Sequence, residues 1–128
     1  MPSNETMAVG QKLVGLCREG KNLDAIDQLY SPDIVSVEAS PDGPLKKIMS
    51  GIDDVRGKNL WWYENHEVHG GEVDGPYPLD DRFITFMKFD ITPKTGPMAG
   101  NRMQVQEMGL YTVADGKITK EEFFYDMG

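Results

Sequence analysis

The chain has 128 residues, 39% of them hydrophobic and 27% charged, the composition of an ordinary folded domain with one core. Acidic residues outnumber basic ones 21 to 13, for a formal charge of −8, which disfavours phosphate backbones and anionic membrane surfaces as partners. A single cysteine, Cys17, excludes an intramolecular disulfide and a cysteine-based metal cluster.

Ser3 or Asn4, with Glu5 and Thr6 behind, is placed to cap a first helix. Val9, Leu13, Leu16 and Cys17 recur at helical spacing within it, and Gly20 ends it. Cys17 on this apolar stripe reads as a core thiol. MPSNETMAVG has neither a basic start nor a leader-length apolar run, and no stretch approaches membrane-spanning length, so a cytoplasmic protein is expected. A second short helix sets Leu23, Ile26, Leu29 and Tyr30 on one face. Pro32 forbids its continuation and starts a strand at Ile34, which ends on Glu38 before a turn of Ser40, Pro41, Asp42 and Gly43.

GIDDVRGKNLWWYENH reads as a third helix, with Ile52, Val55, Asn59 and Trp62 on one stripe, widened by Leu60 and Tyr63. The period then changes from 3.6 to 2. HEVHGGEV is a strand broken by Gly70 and Gly71, and DGPYPLDD is a turn. RFITFMKFDI alternates as a strand, and TPKTGPMAGN is a loop. MQVQEMGLYTV is another strand, Ala-Asp-Gly-Lys turns it, and ITKEEFFYDM closes the sheet. Helices first and an antiparallel sheet after them predict a single α+β domain. Its three helices pack on one face of a strongly bent sheet of four to six strands.

Three stretches carry a resemblance: Leu-Tyr-x-x-Asp-x-Val at 29–35, Gly-Ile-Asp-Asp-Val-Arg at 51–56 and Asp-Gly-Lys-Ile at 115–118. At these spacings the chain resembles the SnoaL-like branch of the nuclear transport factor 2-like superfamily. The resemblance covers nearly all of it and implies a cone-shaped, cystatin-like fold around a pocket, without metal or other cofactor, paired into a homodimer. The family includes ketosteroid isomerases, polyketide cyclases, epoxide hydrolases, dehydratases and non-catalytic binding or dimerisation modules. In ketosteroid isomerase an Asp base works with a Tyr and a protonated Asp. Laid on that pattern without a gap, Glu38 takes the position of the base. Val14 stands where the Tyr would be. Counting back from the Asp-Gly-Lys turn puts Met108 at the protonated Asp, with Glu107 beside it, which points away from the pocket unless a bulge intervenes.

The catalytic candidates are Glu38, which the resemblance places, together with His66 and Glu107. Val14, Ser36, Trp62, Met87, Met108, Leu110, Phe123 and Tyr125 are the ligand contacts. On a strand, His66 and His69 point to opposite faces and make no metal pair; His66 is the one expected in the pocket as an acid or base. Alternation puts Ile34, Ser36 and Glu38 on one face. If that face lines the cone, apolar neighbours should raise the Glu38 pKa; if it meets water, the carboxyl should titrate normally. Arg82 and Arg102, at strand ends, are placed to meet an anionic group. Two functions follow. One is a cofactor-free isomerase, cyclase or lyase on a small, mostly apolar carbonyl compound; the other is a non-catalytic pocket or dimerisation module.

Overall fold

The structure, a computed structural model, describes residues 4–39 and 46–125. Ser3, the turn at residues 40–43 and the end of the last predicted run lie outside them. Helix α1 spans Asn4–Arg18 and α2 spans Asn22–Leu29. Gly20, at φ +73°, lets the Lys21 amide reach back to the Leu16 carbonyl (2.8 Å) and its own amide to Cys17 (3.0 Å), which closes α1. Strand β1 (Tyr30–Val37) follows α2 directly, then β2 (Ile48–Ser50) and α3 (Ile52–Asn65). The rest is sheet: β3 (His66–Leu79), β4 (Arg82–Pro93), β5 (Met103–Ala114) and β6 (Lys117–Phe124).

Among the described residues these strands form one six-stranded curved sheet in the order β2-β1-β6-β5-β4-β3. Every neighbouring pair is antiparallel except β1 and β6, which run parallel. The fold is thus α+β, three helices on a mostly antiparallel sheet. The β5–β6 hairpin turns on Asp115 and Gly116, both at positive φ (52° and 74°), as a two-residue connection requires.

Two local expectations are corrected. Strand β1 starts at Tyr30, not Ile34; the β1–β6 register shifts between Tyr30 and Val35, so Pro32, which lacks an N–H, sits where the ladder is interrupted. DGPYPLDD is not a turn. Strand β3 runs on through Pro76 and Pro78, with register shifts at Val68/Gly70 and Asp74/Tyr77, and turns only at Asp80 and Asp81. It is one of the two edge strands, where a missing N–H leaves no partner unsatisfied.

Helices α1 and α2 lie on the concave face. Val9, Leu13, Ile26 and Leu29 meet Ile34, Phe83, Tyr111, Val113 and Ile118 there in one buried core, each large side chain contributing about 1.5–3 kcal/mol. Phe83 and Tyr111 stack at 4.9 Å across β4 and β5. On β5 the concave face carries residues 103, 105, 107, 109, 111 and 113, with Gly109, Tyr111 and Val113 fully buried. Near the middle of the sheet the helices stop covering it, and a cavity opens.

Candidate functional site

The cavity holds about 650 Å³ and is bounded by α1, α2, α3, β4, β5, β6, the first residues of β1 and β3, and the loop after β4, a size suited to a small organic molecule. Its wall is mostly aromatic and aliphatic: Trp61, Trp62, Tyr63, Met87, Phe89 and Phe123 contribute. Into this apolar lining the fold brings three glutamates and one lysine.

Lys58 lies on the buried stripe of α3, three residues after Val55 and four before Trp62, and is only 7% exposed. Its ammonium donates to Ser36 Oγ and to Glu38 Oε1, both at 2.5 Å, and stands 3.6 Å from Glu121 Oε2. It also lies 5.0 Å from the centroid of the Phe123 ring, a favourable placement for a cation. Glu121, 2% exposed, accepts from Ser36 Oγ at 2.7 Å and from the Tyr30 hydroxyl in a short bond. Tyr125 donates to the other oxygen of Glu38 at 2.9 Å. Two carboxylates thus share one ammonium, and hydroxyls occupy their remaining acceptor sites, as buried charges require.

Glu107 has no such partner. Among the described residues it makes no hydrogen bond or ion pair, yet it lines the same cavity. Burial, and then the nearby Glu38 and Glu121 charges, outweigh the Lys58 ammonium and push its carboxyl up to about 7. Near neutral pH it therefore exists in both protonation states. His66, where α3 passes into β3, stacks on Trp62 at 4.7 Å and pairs through Nδ1 with the Trp62 carbonyl at 2.7 Å. A carbonyl only accepts, so Nδ1 carries the proton and Nε2 is left as an acceptor. The Cys17 thiol, also in the wall, is pushed up to about 12 by burial and then by Glu121, which makes it a poor nucleophile. Among the described residues no three His, Cys, Asp or Glu side chains are grouped to hold a metal ion. No helix among them is long and apolar enough to cross a membrane.

Residues 4–125 match the SnoaL-like domain family. The chain belongs to that family. This SnoaL-like chain is 43% identical to a Mesorhizobium loti protein provisionally called a SnoaL-like polyketide cyclase. The match covers 92% of this chain and 97% of that one, with a TM-score of 0.84. A nuclear transport factor 2-like protein of unknown function from Burkholderia pseudomallei has 14% identity and a TM-score of 0.74, over 97% of this chain and 92% of that one. An LEH-like epoxide hydrolase from M. tuberculosis has 17% identity and a TM-score of 0.67, over 97% and 84%. At those identities the last two show the fold alone. No curated protein matches the chain.

The SnoaL-like fold places Glu38, His66 and Glu107 around one cavity, with Trp62, Met87, Phe123 and Tyr125 in its wall. Ser36 lies behind the wall, 1% exposed, and acts through Glu121 and Lys58. Val14 is buried against Val73 and Met87 and does not reach the cavity. Met108 and Leu110 stand on the outer face of β5, Met108 46% exposed. The count back from the Asp-Gly-Lys turn misassigned these faces. Alternation along β5 from buried Tyr111 puts Glu107 inside and Met108 outside. The expectation of apolar neighbours at Glu38 is also corrected: its oxygens are held by an ammonium and a phenol. His69 sits away from the cavity, with Nε2 2.8 Å from Thr92 Oγ1. Arg102 grips Asp90 through two bonds of 2.9 and 2.7 Å, and neither it nor Arg82 lines the cavity.

Lys58 and Glu121 were missed, although both carried a signal. Lys58 interrupts the apolar stripe of α3 between Val55 and Trp62. Glu121 stands two residues before Phe123 and four before Tyr125, hence on the face already assigned to the ligand.

Proposed function

We propose that this SnoaL-like protein takes a small, mostly apolar carbonyl compound into the cavity and moves a proton on it, as a cofactor-free isomerase, cyclase or lyase. The observation that carries the reading is Glu107, an unpartnered carboxyl that titrates near 7 and faces the cavity. An acid with that pKa takes a proton from carbon and returns it at another atom without being trapped in either state. The Lys58 ammonium lines the same cavity, but its donors are taken up by Ser36, Glu38 and Glu121. Glu38 and Glu121 hold Lys58 in place, and His66 Nε2 is a second acceptor on the same wall. We include in the proposal a homodimer formed through the outer face of the sheet.

Proton exchange can be followed without identifying the natural substrate. In D₂O, a panel of cyclic ketones and enones is followed by NMR for deuterium uptake beside the carbonyl. Wild type should accelerate uptake for at least one compound, and Glu107→Gln should lose roughly 100-fold or more of that acceleration. Equal rates in wild type and variant would remove Glu107 from the reaction. The alternative, a non-catalytic binding module, draws support from Val14, which fills the place of the family's Tyr with a core side chain. It predicts shifts of cavity resonances on ligand addition with no deuterium uptake.

A further inference from the structure

We infer that the molecule this cavity selects carries a positive charge: a protonated amine or quaternary ammonium group, seated beside Glu107 and against the rings of Trp62 and Phe89. The inference rests on the reading of the cavity as a ligand site and names the class of ligand. Three carboxyls line the wall, Glu38, Glu107 and Glu121, and among the described residues Lys58 is the one Lys or Arg there. That ammonium is already committed, at 2.5 Å to Glu38 and 3.6 Å to Glu121, and the Phe123 face is taken by it as well. Glu107 is left over.

Its setting suits an organic cation better than a hydrated ion. Glu107 stands opposite Met87 on β4 and diagonal to Phe89, whose partner is Val105, which puts acid and ring on one face within reach of each other. Phe89 is tilted against Trp62 at 5.7 Å, so the two rings form a corner. Ring faces attract cations, and the attraction grows where water is excluded. A neutral molecule gives Glu107 no counter-charge. An anion meets three carboxyls and no free cation. An ammonium group relieves the excess, and Glu107 ionises to receive it. The other titratable groups around the cavity are Glu38, Glu121, Lys58, His66, Cys17, Tyr30, Tyr63, Tyr111 and Tyr125.

Three compounds of nearly one shape separate the outcomes: benzyltrimethylammonium, neopentylbenzene and phenylmethanesulfonate. Their affinities for the intact protein are measured at pH 7 and low salt by NMR titration and calorimetry. The ammonium compound should bind roughly tenfold or more tightly than the neutral one, and the sulfonate should not bind. Glu107→Gln should abolish most of that preference while changing the neutral compound's affinity by less than about twofold. Calorimetry in two buffers of different ionisation enthalpy should show proton release on binding of the ammonium compound, because burial raises the Glu107 carboxyl to about 7, and none in Glu107→Gln. Equal or tighter binding of the neutral compound, preference for the sulfonate, or binding of none of the three at millimolar concentration would each overturn the inference. Deuterium uptake on neutral ketones without any ammonium preference sinks this inference alone. Ammonium preference without uptake sinks only the catalytic reading.

Discussion

Lys58 is a buried cation with carboxylates on two sides, and its removal leaves Glu38 and Glu121 without a counter-charge. Lys58→Met should cost about 3–5 kcal/mol in urea unfolding, and adding Glu121→Gln should recover part of it. The same variant should move the Glu107 titration, followed by NMR, further up, because Lys58 is the one group pulling it down. Glu107 gives a pH effect of definite sign. Its folded pKa, about 7, lies above the ordinary 4.5, so between those values the folded state holds more proton than the unfolded chain and stability falls as pH rises. Glu107→Gln should therefore match wild type near pH 4.5 and become more stable by pH 8, by on the order of 2–3 kcal/mol at most. A melting-temperature gap that stays constant from pH 4.5 to 8 would contradict this. At this scale the sequence was half legible. Glu38 and the ring positions follow from alternation, but the partners of Glu38 come from α3 and from Tyr125, and no local pattern encodes that meeting.

Helix α1 approaches the sheet closely at one glycine. A methyl group at Gly10 would lie 2.8 Å from Pro76 Cβ and 3.3 Å from Phe83 Cγ, whereas at Gly15, later in the same helix, nothing lies within 4 Å. Both positions gain helix propensity on substitution, about 0.5–1 kcal/mol. Gly15→Ala should therefore stabilise the protein by that amount. Gly10→Ala should destabilise it by about 1–2 kcal/mol, since the rigid Pro76 ring cannot give way. Opposite shifts in urea midpoint check the pair; a stabilising shift at both positions would mean that α1 sits further from β3. Helices and strands with a clean period, such as α1 and β4, were legible because their own side chains face the core in order. Strand β3 was not, since its glycines and prolines are those of a turn and only its edge position makes them tolerable. Strand β2, three residues long, has no period to read.

At the scale of the molecule the sheet has two faces and the helices cover one. On the other, Ile84, Met108 and Phe124 are 41%, 46% and 53% exposed. They adjoin through the pairs Phe86–Met108 and Met108–Phe124 and, one rung on, Ile84–Leu110. Contiguous apolar surface of this kind marks an interaction site, and sedimentation at micromolar concentration should show twice the chain mass. Met108→Lys, at the centre of the patch, should bring it to the monomer; a monomeric wild type would refute the proposed homodimer. A last consequence concerns the order in which the polypeptide is made. Strand β6 alone joins β1 to β5, and it also brings Glu121 to Tyr30, Ser36 and Lys58. On the ribosome those three residues emerge long before their acid does. A nascent chain stopped short of Lys117 has two separate pieces of sheet, β2–β1 and β5–β4–β3, and a lysine with one carboxylate in place of two. The cavity wall is therefore completed after every other strand has been made, by the same strand that closes the sheet.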